Sequence, residues 1–395
     1  MKDILFLAHR IPYPPDRGDK IRSWNILRHL ATLARVHLAC FADDEKDAAH
    51  LPALREAVGG EIHVEVRTRT KVAAGAIALA EGRPVSLALF DSPKLRAFVR
   101  GKLAGDSIGT IFAFSGQMAQ FVPAGVRQRF VMDFGDVDSA KFAQYAADGA
   151  GPMRWVNRRE GGKLAAFERA VAGRADLCLF VSEAEAALFR ERTGLANIRA
   201  LSNGIDVDRF DPQADFPRLE KGEAPILLFT GQMDYPPNAE AVAWFARDVL
   251  PLVPGARFVI AGRNPPAAVR ALAGARVTVT GAVPDMRSWL AAADVVVAPL
   301  KLARGIQNKV LEAMAMARPV VASPAAFEGI DAIPGRDLLV AGDAAETAAA
   351  VNRLLADPGA IGSAARRQME RHYRWEARLA PLAAMVDPAQ PRRAA

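Results

Sequence analysis

Short apolar runs alternate with amphipathic stretches along the whole chain, and this alternation constrains the fold more than any other feature. The runs ILFLAH (4–9), VHLACFA (36–42), IHVEVR (62–67), TIFAFS (110–115), RFVMDF (129–134) and LCLFVS (177–182) form a first series. ILLFTG (226–231), RFVIAG (257–262), VTVTG (277–281), VVVAPL (295–300) and PVVAS (319–323) form a second. Between them lie helical patterns such as SWNILRHLATLA (23–34), NAEAVAWFARDVLPLV (238–253) and MRSWLAAA (286–293). A strand that is apolar throughout has both faces covered, which is the condition of a parallel sheet between helical layers. Two such series predict an α/β protein of two doubly wound, Rossmann-like domains. The polar, turn-rich segment 201–225, with Asn203-Gly204 and Asp211-Pro212, marks the boundary. The stretch 365–386 predicts one long amphipathic helix.

The chain length of 395 residues suits two such domains, and 51% hydrophobic with 24% charged residues is a globular balance. Its net charge of +7 is uneven. Residues 1–200 hold 29 Lys and Arg against 23 Asp and Glu, whereas residues 201–395 hold 22 against 21. A basic first half suits nucleic acid, an anionic membrane surface or a phosphorylated acceptor, and an arginine-rich composition would produce the same imbalance. No stacking aromatics are interleaved with the cations, which disfavours nucleic acid. Cys40 and Cys178 sit in apolar runs, read as buried thiols, and fit a reducing compartment. The six histidines show no ligand spacing, so no metal site is expected, and no GxSxG, SxxK or Cys-His nucleophile pattern occurs. The first apolar run is too short for a signal peptide, and no run reaches the length of a membrane span, so a soluble protein is expected.

Four stretches could carry chemistry. In ARGIQNKVLEAMAMARPVVA (303–322), Lys309 and Glu312 are three apart and share one face of an otherwise apolar helix that starts after Gly305 and stops at Pro319. They read equally well as an exposed ion pair or as a cationic and an anionic hook beside amides that favour phosphate. In HRIPYPPDRGDKIR (9–22), Gly18 follows a proline-rich loop and opens a helix, with Lys20 and Arg22 beside it as anion partners. In VMDFGDVDSAK (131–141), Asp133, Asp136 and Asp138 follow a strand end, where they can meet a metal or a sugar hydroxyl, and Asp138 or Ser139 is expected to cap the next helix. In FTGQMDYPPNAEAV (229–242), Gly231 follows a strand and Asn238 is expected to cap a helix.

Together these stretches, with SNGID (202–206) and GAVPDMRSWLAAADVVVAPL (281–300), resemble the GT-B retaining glycosyltransferases of family 4. The segment Asp133 to Lys141 is similar to the exopolysaccharide-associated subgroup. The resemblance implies two Rossmann-like domains facing across a cleft: an acceptor domain at 1–203, with the tail 365–395 packing back on it, and a donor domain at 204–364. It implies a hexosyltransferase that moves sugar from a nucleoside diphosphate sugar to a glycan or lipid-linked acceptor in cell-surface polysaccharide synthesis. No cofactor or metal is implied. A cytoplasmic location follows, with docking on the inner face of the plasma membrane.

Residue by residue, the resemblance places Glu312 on the ribose hydroxyls and Lys309 on the diphosphate. It places Gly305, Ile306 and Gln307 near sugar and phosphate, Val283 near the base, and Gly231, Gln232 and Gly18 on the donor. Three departures stand out. Arg304 replaces the first of two glutamates eight apart, Gln232 and Asn238 replace an arginine and a lysine that neutralise the diphosphate, and the usual histidine after the fifth strand is missing. Lys309, Arg304 and Asp136 are therefore the candidate catalytic residues. A non-catalytic nucleotide-sugar binder and a nucleotide-sugar epimerase are the alternatives.

Overall fold

The computed structural model describes residues 2–303 and 305–390. The chain divides into two compact units, Met1–Ser202 with Leu379–Ala395, and Asn203–Arg378.

The first unit contains β1 (Asp3–Ala8), β2 (Val36–Ala42), β3 (Ile62–Val66), β4 (Ile108–Phe114), β5 (Arg129–Gly135), β6 (Leu177–Phe180) and β7 (Ile198–Ala200). All pair in parallel in the order β3-β2-β1-β4-β5-β6-β7. Phe6 on β1 lies in register between Leu38 and Phe112, and the Phe6 and Phe112 rings stack at 5.4 Å. β2 and β4 are buried along their whole length, as continuous apolar runs require when helices cover both faces. The short edge strand β7 has no apolar run, which hid it from sequence.

The second unit contains β8 (Ile226–Thr230), β9 (Arg257–Ala261), β10 (Val277–Gly281), β11 (Val295–Ala298), β12 (Val320–Ala322) and β13 (Leu339–Val340). They form a parallel sheet in the order β10-β9-β8-β11-β12-β13. In both sheets the strand order reverses beside the first strand, between β1 and β4 and between β8 and β11, where doubly wound sheets take ligands.

Several expected elements differ. The tail is not one helix: it breaks into Ile361–His372, Trp375–Leu379 and Leu382–Val386. The first break comes where Ile205 N–H donates to the Tyr373 carbonyl at 2.7 Å and pairs in parallel with Arg374, so SNGID interrupts the helix. Gly204 is required there, since a Cβ would stand 2.8 Å from the Tyr373 carbonyl oxygen. The helix Ile361–His372 stays with the second unit, and Arg366 ties it to the carbonyls of Val207, Phe210 and Ala315. The return to the first unit therefore begins at Leu379 and not at 365. There Thr110 and Arg129 donate to the carbonyls of Val386 and Met385. The helix expected over 238–253 is α-helical only over Pro236–Trp244 and continues as a π turn, Phe245–Val249. Cys40 and Cys178 are buried thiols, in no disulfide. No helix among the described residues is long and apolar enough to cross a membrane.

Candidate functional site

Gly231 leaves the end of β8, and the loop after β11 leads into the helix Asn308–Ala315, so both segments issue from the strand-order reversal of the second sheet. Val310, Leu311, Ala313, Met314 and Ala315 bury that helix on one side. Lys309 and Glu312 are left on another face, half-buried. The helix ends at Ala315, four residues before Pro319, because Ala317 takes φ +53° and turns the chain away.

Lys309 is held from two sides. Its Nζ donates to Asn238 Oδ1 at 2.6 Å and lies 4.3 Å from the centroid of the Phe229 ring, a cation–π contact. Asn238 is itself oriented, since its Nδ2 donates to the Gln232 carbonyl at 2.8 Å and leaves the side-chain oxygen for the lysine. The expected helix cap at Asn238 is thus wrong: the helix starts at Pro236, and the asparagine reaches back to the loop and across to Lys309. A side chain at Gly231 would intrude here, with a Cβ 2.8 Å from Asn238 Nδ2 and 3.3 Å from Lys309 Nζ. At Gly262, just after β9, a Cβ would stand 1.6 Å from the Gly231 carbonyl oxygen. Two bare backbones therefore let these loops pack edge to edge.

Enclosure in protein sets the electrostatics. Burial pulls the Lys309 ammonium down to about 7, and Glu312 opposes the shift. Burial pushes Glu312 up to about 7 against the pull of Arg209 and Lys309. The Glu312 carboxylate makes no hydrogen bond and no ion pair within 4 Å among the described residues, so it is available to hydroxyl donors. A bound anion would favour the protonated lysine and repay its desolvation.

The neighbouring candidates are placed as follows. Gly305 has φ +63°, a left-handed conformation suited to glycine, and its carbonyl accepts from Gln307 Nε2 at 3.2 Å. Ile306 is buried, and Asn203 Nδ2 donates to Asn308 Oδ1 at 3.3 Å at the start of the helix. Gln232 contributes its backbone carbonyl. Val283 lies half-buried in the loop after β10, where Asp285 caps the helix Met286–Ala292 by accepting from Arg287 N–H at 2.9 Å. Arg304 falls outside the described residues.

Gly18 and Asp136 belong to the first unit. Gly18 opens the helix Gly18–Leu33, but the cations expected to serve an anion there are engaged. Lys20 pairs with Asp47 at 2.7 Å, and Arg22 pairs with fully buried Asp133 at 2.9 Å and donates to the Leu201 carbonyl. Asp133 is thus half of an internal ion pair and does not face a ligand. Arg10 and Arg17 are likewise held by Asp19 and Asp43.

Asp138 and Ser139 do not cap their helix. Glu185 accepts from Val137 N–H at 2.7 Å, and Glu168 accepts from Ser139 N–H at 3.0 Å and from Ser139 Oγ at 2.5 Å. Carboxylates from two other helices thus take the amides. Asp136 sits among them with Oδ1 buried and unpartnered. Burial, then Glu185 and Asp138, pushes its carboxyl up to about 7. Among the described residues no group of three or more His, Cys, Asp or Glu could hold a metal ion.

Residues 224–357, about a third of the chain, match the family model described as glycosyl transferases group 1. This segment holds Gly231, Gln232, Val283, Lys309 and Glu312, but neither Gly18 nor Asp136. No curated protein matches the sequence. Among solved structures, the chain is similar to a sucrose-phosphate synthase from Thermosynechococcus elongatus, with a TM-score of 0.73, 18% identity and 98% of each chain covered. It is also similar to HepE from Anabaena in complex with UDP and glucose (TM-score 0.68, 16% identity, 98% of this chain and 99% of that one). WaaG, a glycosyltransferase involved in lipopolysaccharide biosynthesis, gives a TM-score of 0.67 at 17% identity, with 97% of this chain and 99% of that one covered. The fold is therefore GT-B, built from two parallel-sheet α/β units.

Proposed function

We propose that the protein is a retaining glycosyltransferase that moves a hexosyl group from a nucleoside diphosphate sugar to a glycan or lipid-linked acceptor in cell-surface polysaccharide synthesis. The observation that carries this reading is Lys309, held by Asn238 over Phe229 one helical turn from an unpaired Glu312, at the strand-order reversal of the segment that matches the glycosyl transferases group 1 model. HepE, solved with UDP and with UDP-glucose, supports a uridine nucleotide as the first donor to try.

In this reading Glu312 accepts from the ribose hydroxyls and Lys309 meets the diphosphate. Departure of the diphosphate leaves an oxocarbenium-like sugar, and a fixed cation aimed at the leaving oxygens stabilises that charge as it develops. The leaving phosphate accepts the proton of the attacking hydroxyl, so no side-chain nucleophile and no metal is assigned. Asp136, whose carboxyl lies near neutrality, is the first unit's candidate for contact with the sugar.

Docking on an anionic membrane face belongs to the same proposal. On the helix Gly151–Arg174, Met153 and Trp155 are each 60% exposed and Val156 is 38% exposed, beside the exposed cations Arg154, Arg158 and Lys163. Apolar and cationic side chains on one helix suit an interface with anionic lipid.

A thermal-shift panel of UDP-, GDP-, ADP- and dTDP-sugars identifies the donor, because a ligand of the folded state raises the melting temperature. Slow release of free sugar and nucleoside diphosphate from that donor then separates a catalyst from a mere binder. No shift with any member of the panel overturns the proposal.

A further inference from the structure

Away from Lys309, the second unit carries a surface cavity of about 670 Å³. Three segments enclose it: the turn 335–337, the end of the helix Ala344–Ala356 with the turn 357–360, and one face of the helix Ile361–His372. On that last face, Arg367 and Arg371 are four apart and point to the same side, where two like charges repel each other. Arg353 and Arg336 enter from the other two segments, so four guanidiniums meet two carboxylates.

One of the two carboxylates is already paired with an arginine. Asp337, 1% exposed, accepts from Arg336 at 2.8 Å through each oxygen and from Ile333 N–H at 2.8 Å. Asp357 accepts from Gly359 N–H at 2.9 Å. Arg353, Arg367 and Arg371 make no side-chain hydrogen bond and no ion pair within 4 Å among the described residues, while the Arg367 charge adds to that of Arg336 in holding Asp337 below the usual carboxylate range. The cavity also reaches the start of the twelve-residue helix Ile361–His372, where the Ile361 N–H donates to the Pro358 carbonyl at 3.3 Å. Three guanidiniums without a hydrogen-bonded partner thus converge on one concave space.

We propose that this cavity is a second anion-binding site, distinct from the donor site, that takes a phosphorylated ligand. Guanidinium forks match two phosphate oxygens at once, and several of them on one concave surface reward a multiply charged anion. The volume lies in the range of small-molecule sites and exceeds what inorganic phosphate fills, so the phosphate belongs to a larger molecule. Leu354 and Ile361, both buried, give its carbon skeleton an apolar floor.

The test is calorimetric titration of the full-length protein with inorganic pyrophosphate, comparing wild type, R367Q/R371Q and K309M. Both arginines are exposed, so the double variant should fold, and its melting temperature without ligand checks this. The expected result is binding in the cavity at least tenfold weaker in R367Q/R371Q and retained in K309M. Unchanged titration in R367Q/R371Q, or a signal that disappears entirely with K309M, overturns the proposal. Flotation with phosphatidylglycerol and phosphatidylcholine vesicles then identifies the source. Loss of phosphatidylglycerol binding in R367Q/R371Q assigns a lipid headgroup, and unchanged vesicle binding with lost pyrophosphate binding assigns a free phosphorylated metabolite. Because K309M reports the donor site separately, this outcome does not depend on the sugar-transfer reading.

Discussion

Lys309→Met isolates the charge on which the proposed chemistry depends. Methionine keeps an unbranched stem against Phe229 and removes the ammonium, so packing changes little while the 2.6 Å bond to Asn238 is lost. A lysine about 4 Å from a phosphate oxygen contributes about 4 kcal/mol at an effective dielectric constant of about 20. Loss of one fixed electrostatic donor in an enzyme site costs about 3 kcal/mol. With its proton held only to about pH 7, the lysine is about half charged near neutrality, which subtracts about 0.4 kcal/mol by the logarithm of that fraction. Lys309→Met should therefore lower kcat/KM by about 2–4 kcal/mol, roughly 30- to 1000-fold.

Two comparisons sharpen the expectation. Asn238→Ala, which releases the ammonium from its anchor, should cost about 1–2 kcal/mol, in the range of a charged hydrogen bond. Gln232→Ala should be nearly silent, because only the backbone carbonyl of that residue is used. The assay is initial-rate sugar transfer or donor hydrolysis at pH 7, with circular dichroism to confirm the fold. Near wild-type turnover in Lys309→Met together with an inactive Arg304→Met would refute the assignment of the cation.

Glu312→Ala should nearly abolish nucleotide binding by calorimetry with the fold intact, whereas wild-type affinity would move the ribose contact elsewhere. Glu312 also predicts a pH signature. Its folded value of about 7 lies above the ordinary carboxylate value, so its ionisation costs the fold more as pH rises from about 4.5 to 7 and the cost is constant above that. Glu312→Gln should therefore raise stability by about 1–2 kcal/mol at pH 8, discounted for partial exposure, with the gain gone below about pH 4.5. Denaturant melts at the two pH values read this directly. Gly262→Ala drives a Cβ into the Gly231 carbonyl and should cost about 3 kcal/mol or more together with donor affinity, as thermal melts and titration would record. Trp155→Ala with Arg158→Gln should reduce co-sedimentation with anionic liposomes several-fold, and salt should do the same to wild type. Wild-type binding indifferent to both anionic lipid and salt contradicts the membrane proposal.

The strand runs were legible because a parallel strand buried on both faces must be apolar throughout, and this local demand shows in ILFLAH, VHLACFA and ILLFTG without any knowledge of their neighbours. The short strands β7 and β13 carry no such demand and became visible only in their pairing with β6 and β12. Lys309 and Glu312 were legible as polar residues on one side of an apolar helix. Only tertiary structure decided what they meet. Asn238, 71 positions away, resembles a lost cation or a helix cap in sequence, and proves to be the acceptor that holds Lys309. Asp138 and Ser139 looked like caps because capping residues are read from local order, yet the helix already starts at Asp138, and Glu168 and Glu185 reach amides at its start from other helices. Lys20 and Arg22 looked like free cations because a sequence does not show that Asp47 and Asp133 stand opposite them. Local pattern records what each segment must bury. Which charges cancel, and which are left to face a ligand, depends on contacts between residues far apart in the chain, and those exist only once it is folded.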